Sequence, residues 1–174
     1  MAFPQSDTIF LRPSTVHGQG LFAQRALEPG EVLFDLTGTI VWAPFIDGKS
    51  DEGPNWYAIG WELWVSPPAA SPALYLNHSC TPNIALHDDL GFRPLRPIEN
   101  GEELTLDYSS VELDPFWQMT CACGTSACRQ TVRPFYQYDD ATAQAITAYT
   151  PQFLQSALGQ GNQDRMQTFL KTHA

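Results

Sequence analysis

The sequence predicts a mainly β domain with short helices and a helical C-terminal tail. Fourteen prolines and twelve glycines are scattered through 174 residues, which cuts the chain into short extended segments separated by turns. Up to residue 108, β-branched and aromatic residues come in short runs bounded by Gly, Pro, Asn and Asp, the signature of strands. From Asp139 onward the pattern changes to apolar residues at helical spacing behind capping residues. An apolar fraction of 43% with 16% charged residues describes a globular chain, long enough for one domain with a hydrophobic core.

Taken in order, residues 8–12 form a strand candidate that stops at Pro13, and 17–23 a glycine-punctuated turn running into a second strand. A turn at 27–30 leads into a strand over 31–36, and Gly38 precedes another over 39–42. Residues 43–54 hold Pro, Gly, Asp and Ser and read as a loop; the aromatic-rich 55–65 reads as a hairpin. The proline-rich 66–72 is a rigid connection. Beyond it lie a hairpin, 84–87 and 91–95, turning at Asp88-Asp89, then a turn with Asn100-Gly101 at its tip and a strand over 104–108. A polar linker, 109–120, carries Phe116 and Trp117. In the tail, Asp139 or Asp140 caps a helix over 141–149, and Thr150-Pro151 resembles a cap with proline at the first helical position. Met166, Phe169 and Leu170 mark a third helix beginning near Asn162.

The net charge is −10, with two lysines in the chain. Such a surface repels phosphate backbones, so direct nucleic-acid binding is not expected; a basic partner is favoured electrostatically. No apolar run reaches the length of a membrane span, and residues 1–10 lack a basic stretch followed by an apolar core. A soluble, intracellular protein is expected. The oligomeric state is not legible.

The chemistry concentrates in two places. Residues 74–83, Leu-Tyr-Leu-Asn-His-Ser-Cys-Thr-Pro-Asn, set an amide, an imidazole, a hydroxyl and a thiol in a row directly after an apolar run; buried, these groups need hydrogen-bond partners. Cys121, Cys123 and Cys128 form a C-x-C-x4-C cluster with Gly124 permitting a sharp turn. A C-x-C pair is poorly placed to close on itself as a disulfide, whereas three thiolates in one loop suit tetrahedral zinc. Cys80, the remaining cysteine, is the candidate fourth ligand. The plain alternative is a loop of free thiols.

These segments together resemble a known family. Asn77-His78-Ser79-Cys80 with Pro82-Asn83, then Glu103-Leu104-Thr105-Leu106-Asp107-Tyr108, then the cysteine cluster, are similar to the SET-domain lysine methyltransferases with a post-SET zinc loop. His17-Gly18-Gln19-Gly20-Leu21-Phe22-Ala23 matches their opening G-x-G motif, and Gly38 the glycine of their Y-x-G motif. The motifs run in the family's order over roughly residues 8–130. The resemblance implies a SET-domain fold of small curved sheets around a knot-like core at 6–110, a zinc-bound post-SET loop at 111–133 and a helical extension at 134–174. It implies S-adenosylmethionine as cofactor and a lysine-containing protein or peptide as substrate, entering a narrow channel from the opposite face. Tyr108 matches the active-site tyrosine; Gly18, Gln19, Gly20, Asn77 and His78 match cofactor-contact positions, where the glycines would let the backbone approach the cofactor closely. Phe116 or Trp117 would wall the lysine channel, unless they simply pack.

The chain departs from the pattern at three leucines. Leu74 stands where many members carry arginine, Leu36 where a channel tyrosine is usual, and Leu106 where an aromatic residue commonly limits the number of methyl groups added. Fewer channel hydroxyls are therefore expected. The alternative function is a SET-like, zinc-stabilised module that binds peptide or cofactor with little or no methyl transfer; a purely structural zinc protein is a further one.

Overall fold

Because turns recur so often, no strand among the described residues exceeds five residues, and the chain builds several small sheets in place of one large one. The computed structural model describes residues 6–45 and 55–159. In chain order the strands are β1 (Ile9–Pro13), β2 (Gln19–Ala23), β3 (Phe34–Asp35), β4 (Thr39–Trp42), β5 (Tyr57–Gly60) and β6 (Leu63–Ser66). They continue with β7 (Asn77–His78), β8 (Ile84–Leu86), β9 (Gly91–Pro94), β10 (Thr105–Leu106), β11 (Met119–Thr120) and β12 (Thr131–Val132). Helices α1 (Asp140–Thr147) and α2 (Gln152–Ala157) follow, and 3₁₀ turns occupy Pro72–Tyr75, Tyr108–Ser110 and Phe135–Gln137. Among the described residues, no helix is long and apolar enough to cross a membrane.

β1 and β2 form an antiparallel ribbon with Ile9 opposite Ala23. The other sheets are β3-β9-β8, β4-β6-β5, the β11-β12 pair and the β7-β10 pair. This last pair is parallel, Asn77 beside Thr105 and His78 beside Leu106, and it places the two motif-bearing segments side by side. A Cβ on Gly38 would collide with the Ser66 carbonyl oxygen, so glycine is required where the chain enters β4 against the end of β6.

Three elements differ from the sequence expectation for local reasons. The strand expected over 31–36 shrinks to β3: the Glu31 amide donates to the Glu28 carbonyl and prolongs the preceding turn. The strand expected over 104–108 is cut to β10, because the Leu104 amide is taken by Leu21 of β2 and the Asp107 carboxylate accepts the Ser109 amide, capping a 3₁₀ turn that begins at Tyr108. In the tail, Asp139 caps α1 by accepting from the Thr142 amide at 3.0 Å, as expected. Thr150 does not cap α2, since its hydroxyl donates to the Ile146 carbonyl. Asp88, from the β8–β9 turn, accepts from the Gln152 amide at 2.6 Å instead, and Pro151 is the cap residue. The helix expected near Asn162, and residues 46–54 of the loop, lie outside the described residues.

Two apolar clusters hold these pieces together. One is built on Leu21, Leu27, Ile84, Phe92, Ile98, Leu104 and Leu106 of the central sheets. The other joins Ala58 and Trp64 of the β5–β6 hairpin to Leu113, Phe135, Ile146, Leu154 and Leu158. The tail helices thus pack on the β domain through their own apolar stripes.

Candidate active site and metal centre

The four cysteine sulfurs lie within 4.8 Å of one another, with Cys80 Sγ and Cys121 Sγ 3.7 Å apart. Tetrahedral zinc with thiolate bonds of about 2.3 Å sets its sulfurs about 3.8 Å apart, so these four can hold one metal ion. The left-handed conformation of Gly124 (φ +68°) makes the turn that gathers them. Backbone amides stabilise negative charge on sulfur: Arg129 donates to Cys80, Cys123 to Cys121 and Gln130 to Cys128. Burial pushes the Cys80 thiol up, opposed by the amide and guanidinium of Arg129. Burial also opposes ionisation of Cys123, but the Thr125 hydroxyl and nearby amides outweigh it and bring that thiol down to about 6. Cys121 beside it is pushed up, mainly by burial, so of this pair Cys123 more readily forms the thiolate that binds a metal.

Beside the metal centre lies the parallel β7–β10 pair. The Asn83 side chain secures it, donating to the Glu103 carbonyl at 2.7 Å and accepting from the Thr105 amide at 2.7 Å. Asn77, buried, donates its amide N–H groups to the carbonyls of His17 and Gln19 and to Glu103 Oε1 at 2.8 Å. Glu103 also accepts from the Ser14 hydroxyl. A Cβ on Gly20 would strike this carboxylate. Gly20 therefore makes room for Glu103 within the protein. Gly18 is left-handed (φ +50°), and Gly18 and Gln19 are exposed.

His78 accepts the Tyr108 amide on Nδ1 at 3.2 Å, which leaves its proton on Nε2, 3.4 Å from Cys80 Sγ. Burial holds its pKa down at about 4, against the pull of Asp107. It is a neutral link between the metal centre and Tyr108, consistent with a buried, hydrogen-bonded histidine.

Tyr108 faces a cleft of about 510 Å³ whose walls include Tyr57, Leu76, Glu112, Phe116 and Trp117. Its hydroxyl donates to the Leu76 carbonyl at 2.6 Å. Burial, reinforced by Glu103, raises its pKa to about 12, so the phenol is neutral in ordinary buffers. Of the four candidate channel residues, Phe116 and Trp117 line this cleft and Leu36 and Leu106 do not. Leu36 is pinned by its amide to the Leu90 carbonyl and Leu106 points inward from β10; both are buried in the central core. Another strand brings a hydroxyl to the cleft wall, that of Tyr57, which donates to the Ala73 carbonyl at 2.6 Å.

Sequence reasoning missed Tyr57, Glu103, Asp107 and Arg129. Glu103 and Asp107 stood inside a motif but had no role without their partners. Tyr57 was hidden in an aromatic run that reads as core.

A family model described as SET domain matches residues 18–109. Among curated relatives, the chain is 29% identical over 131 residues to a protein named histone-lysine N-methyltransferase 2B from Homo sapiens, covering 67% of this chain and 5% of that protein. It is 30% identical over 138 residues to histone-lysine N-methyltransferase trithorax from Drosophila virilis, covering 71% and 4%. It is 29% identical over 135 residues to histone-lysine N-methyltransferase ATX2 from Arabidopsis thaliana, covering 68% and 12%. The chain thus spans a small fraction of the length of these relatives. A family match over more than half of its residues, on a fold whose paired central segments carry the matched motifs, shows that the chain belongs to the SET-domain family.

Proposed function

We propose that this chain is a protein-lysine N-methyltransferase that uses S-adenosylmethionine, with zinc in the four-cysteine centre. In this reading residues 6–110 are the catalytic domain, 111–133 the zinc loop and 134–174 the helical extension. The observation that carries it is the neutral Tyr108 hydroxyl, fixed by the Leu76 carbonyl at the wall of an aromatic cleft, two residues beyond the strand paired with the segment that holds the buried Asn77.

S-adenosylmethionine, when bound, supplies a methyl group on a positively charged sulfur. The polar cradle of Asn77, the Gly18–Gly20 turn and Glu103 fits such a molecule by offering carboxylate charge and backbone carbonyls beside a glycine. The chain's own part is alignment and exclusion of water. A free lysine has a pKa of about 10.4, so roughly 1 in 2,500 is neutral at pH 7; apolar walls such as Leu76, Phe116 and Trp117 disfavour the ammonium form by desolvation. The phenol of Tyr108 is protonated and so does not act as a general base. It and Tyr57 offer oxygens that orient the amine. The net charge of −10 favours a basic substrate, and the relatives' names make histones the first to test.

The test is transfer of labelled methyl from S-adenosylmethionine to mixed core histones and to a basic protein extract. Tyr108→Phe is expected to lower the rate about 100-fold. Label transfer that is insensitive to this substitution overturns the assignment of Tyr108; cofactor binding without transfer by the wild type favours a binding module.

A further inference from the structure

We propose that Tyr149, just beyond α1, is a positioning residue for Tyr108 and acts through the carboxylate of Asp107. The inference rests on the methyltransferase reading of Tyr108 for its kinetic consequence, but its geometry stands separately. Asp107 is fully buried and directly precedes Tyr108. Its Oδ1 accepts from the Ser109 amide at 3.1 Å and from Arg129 Nη2 at 2.5 Å, and its Oδ2 accepts from the Tyr149 hydroxyl at 2.8 Å. The carboxylate is thus held from three directions: by its own turn, by the cysteine loop and by the tail. A buried carboxylate with three donors has one orientation, and that orientation caps the turn whose first residue is Tyr108.

Arg129 does not reach the carboxylate from a free-standing loop. Its guanidinium lies over the Tyr138 ring, 5.1 Å from the centroid, and also donates to the Ser109 hydroxyl. Tyr149 comes from a different element and completes the set on the opposite oxygen. It lies 40 residues beyond the last residue matched by the family, so this contact belongs to the chain's own tail. Without the Tyr149 hydroxyl, Oδ2 keeps its charge with no donor, and the carboxylate is free to rotate toward Arg129. The 3₁₀ turn at Tyr108 is then capped by a carboxylate held through Oδ1 alone, and the backbone that carries the phenol is less firmly set.

The experiment compares the full chain with Tyr149→Phe and with Gln155→Ala. Gln155 ties α2 to the carbonyls of Thr147 and Thr150 and touches neither Asp107 nor the cleft. It therefore reports general loosening of the tail. With tritiated S-adenosylmethionine and mixed core histones, Tyr149→Phe is expected to lower the rate at saturating cofactor about tenfold. Cofactor affinity by calorimetry should change less than about twofold, and Gln155→Ala should keep the wild-type rate. Equal losses in both variants, or none in Tyr149→Phe, overturn the proposal. Hydrogen exchange at the amides of residues 108–110 is measured in parallel. Faster exchange in Tyr149→Phe alone supports the proposal even if the wild type transfers no label to histones, an outcome that counts against the methyltransferase reading only. Unchanged exchange there overturns it whatever the activity.

Discussion

The cysteine centre and the Asp107 clamp do the same mechanical task with opposite chemistry. Each ties C-terminal residues back to the centre: the first joins Cys80 to Cys121, Cys123 and Cys128, the second joins Asp107 to Arg129 and Tyr149. They even share a residue, since the Arg129 amide donates to Cys80 while its guanidinium grips Asp107. The cysteine centre would draw its strength from a bound ion and lose it with that ion. The clamp is built from ordinary side chains whose charges cancel in a dry interior, where removing one partner costs far more than the pair contributes.

Three substitutions test that division. Cys80→Ser has the largest expected effect: zinc content, read by metal analysis, falls well below one ion per chain, and stability drops by about 4 kcal/mol or more. For a chain of this size that is a fall in Tm of roughly 10 °C. Asp107→Asn comes next, at about 3 kcal/mol, because it strands a largely buried guanidinium. It is expected to keep its metal, and loss of the ion in this variant would show that clamp and metal loop are one unit.

Glu112→Gln has the smallest expected effect and tests, by contrast, a buried carboxyl that neither tie holds. Glu112 lines the cleft and accepts from the amides of Leu113 and Asp114. Burial raises its pKa to about 8, the amides working against this and the Asp114 charge adding to it. A carboxyl held above its unfolded value gives its full stability below pH of about 4.5 and loses it as pH rises toward 8. Glu112→Gln should therefore match the wild-type Tm at pH 4 and exceed it by a few degrees at pH 8. A constant difference across that range would show that Glu112 is not held protonated.

The same comparison explains what was legible in the sequence. Four residues of a rare type, three of them crowded into one loop, announce a metal centre, and the structure brings their sulfurs together. The strands and turns at 8–23, 39–42, 55–65 and 84–95 were legible because Gly, Pro and Asp punctuate them. Nothing local marks Asp107, Arg129 and Tyr149 as partners, since a buried ion pair is a property of the folded arrangement. Likewise nothing local shows that Gly20 leaves room for the Glu103 carboxylate beside it. Leu36 and Leu106 stand at channel positions of the motif, and that both are buried in the central core is a property of the folded arrangement.

The clamp also has a direction in time. Both side chains that donate hydrogen bonds to the Asp107 carboxylate, Arg129 and Tyr149, lie downstream of it, and chains fold from the N-terminal side as they leave the ribosome. A nascent chain that has emerged only as far as Asp107 must carry that carboxylate in water, its turn uncapped and its tyrosine wandering. The turn at Tyr108 is consequently among the last parts of the molecule to set, waiting on a tyrosine some forty residues further along.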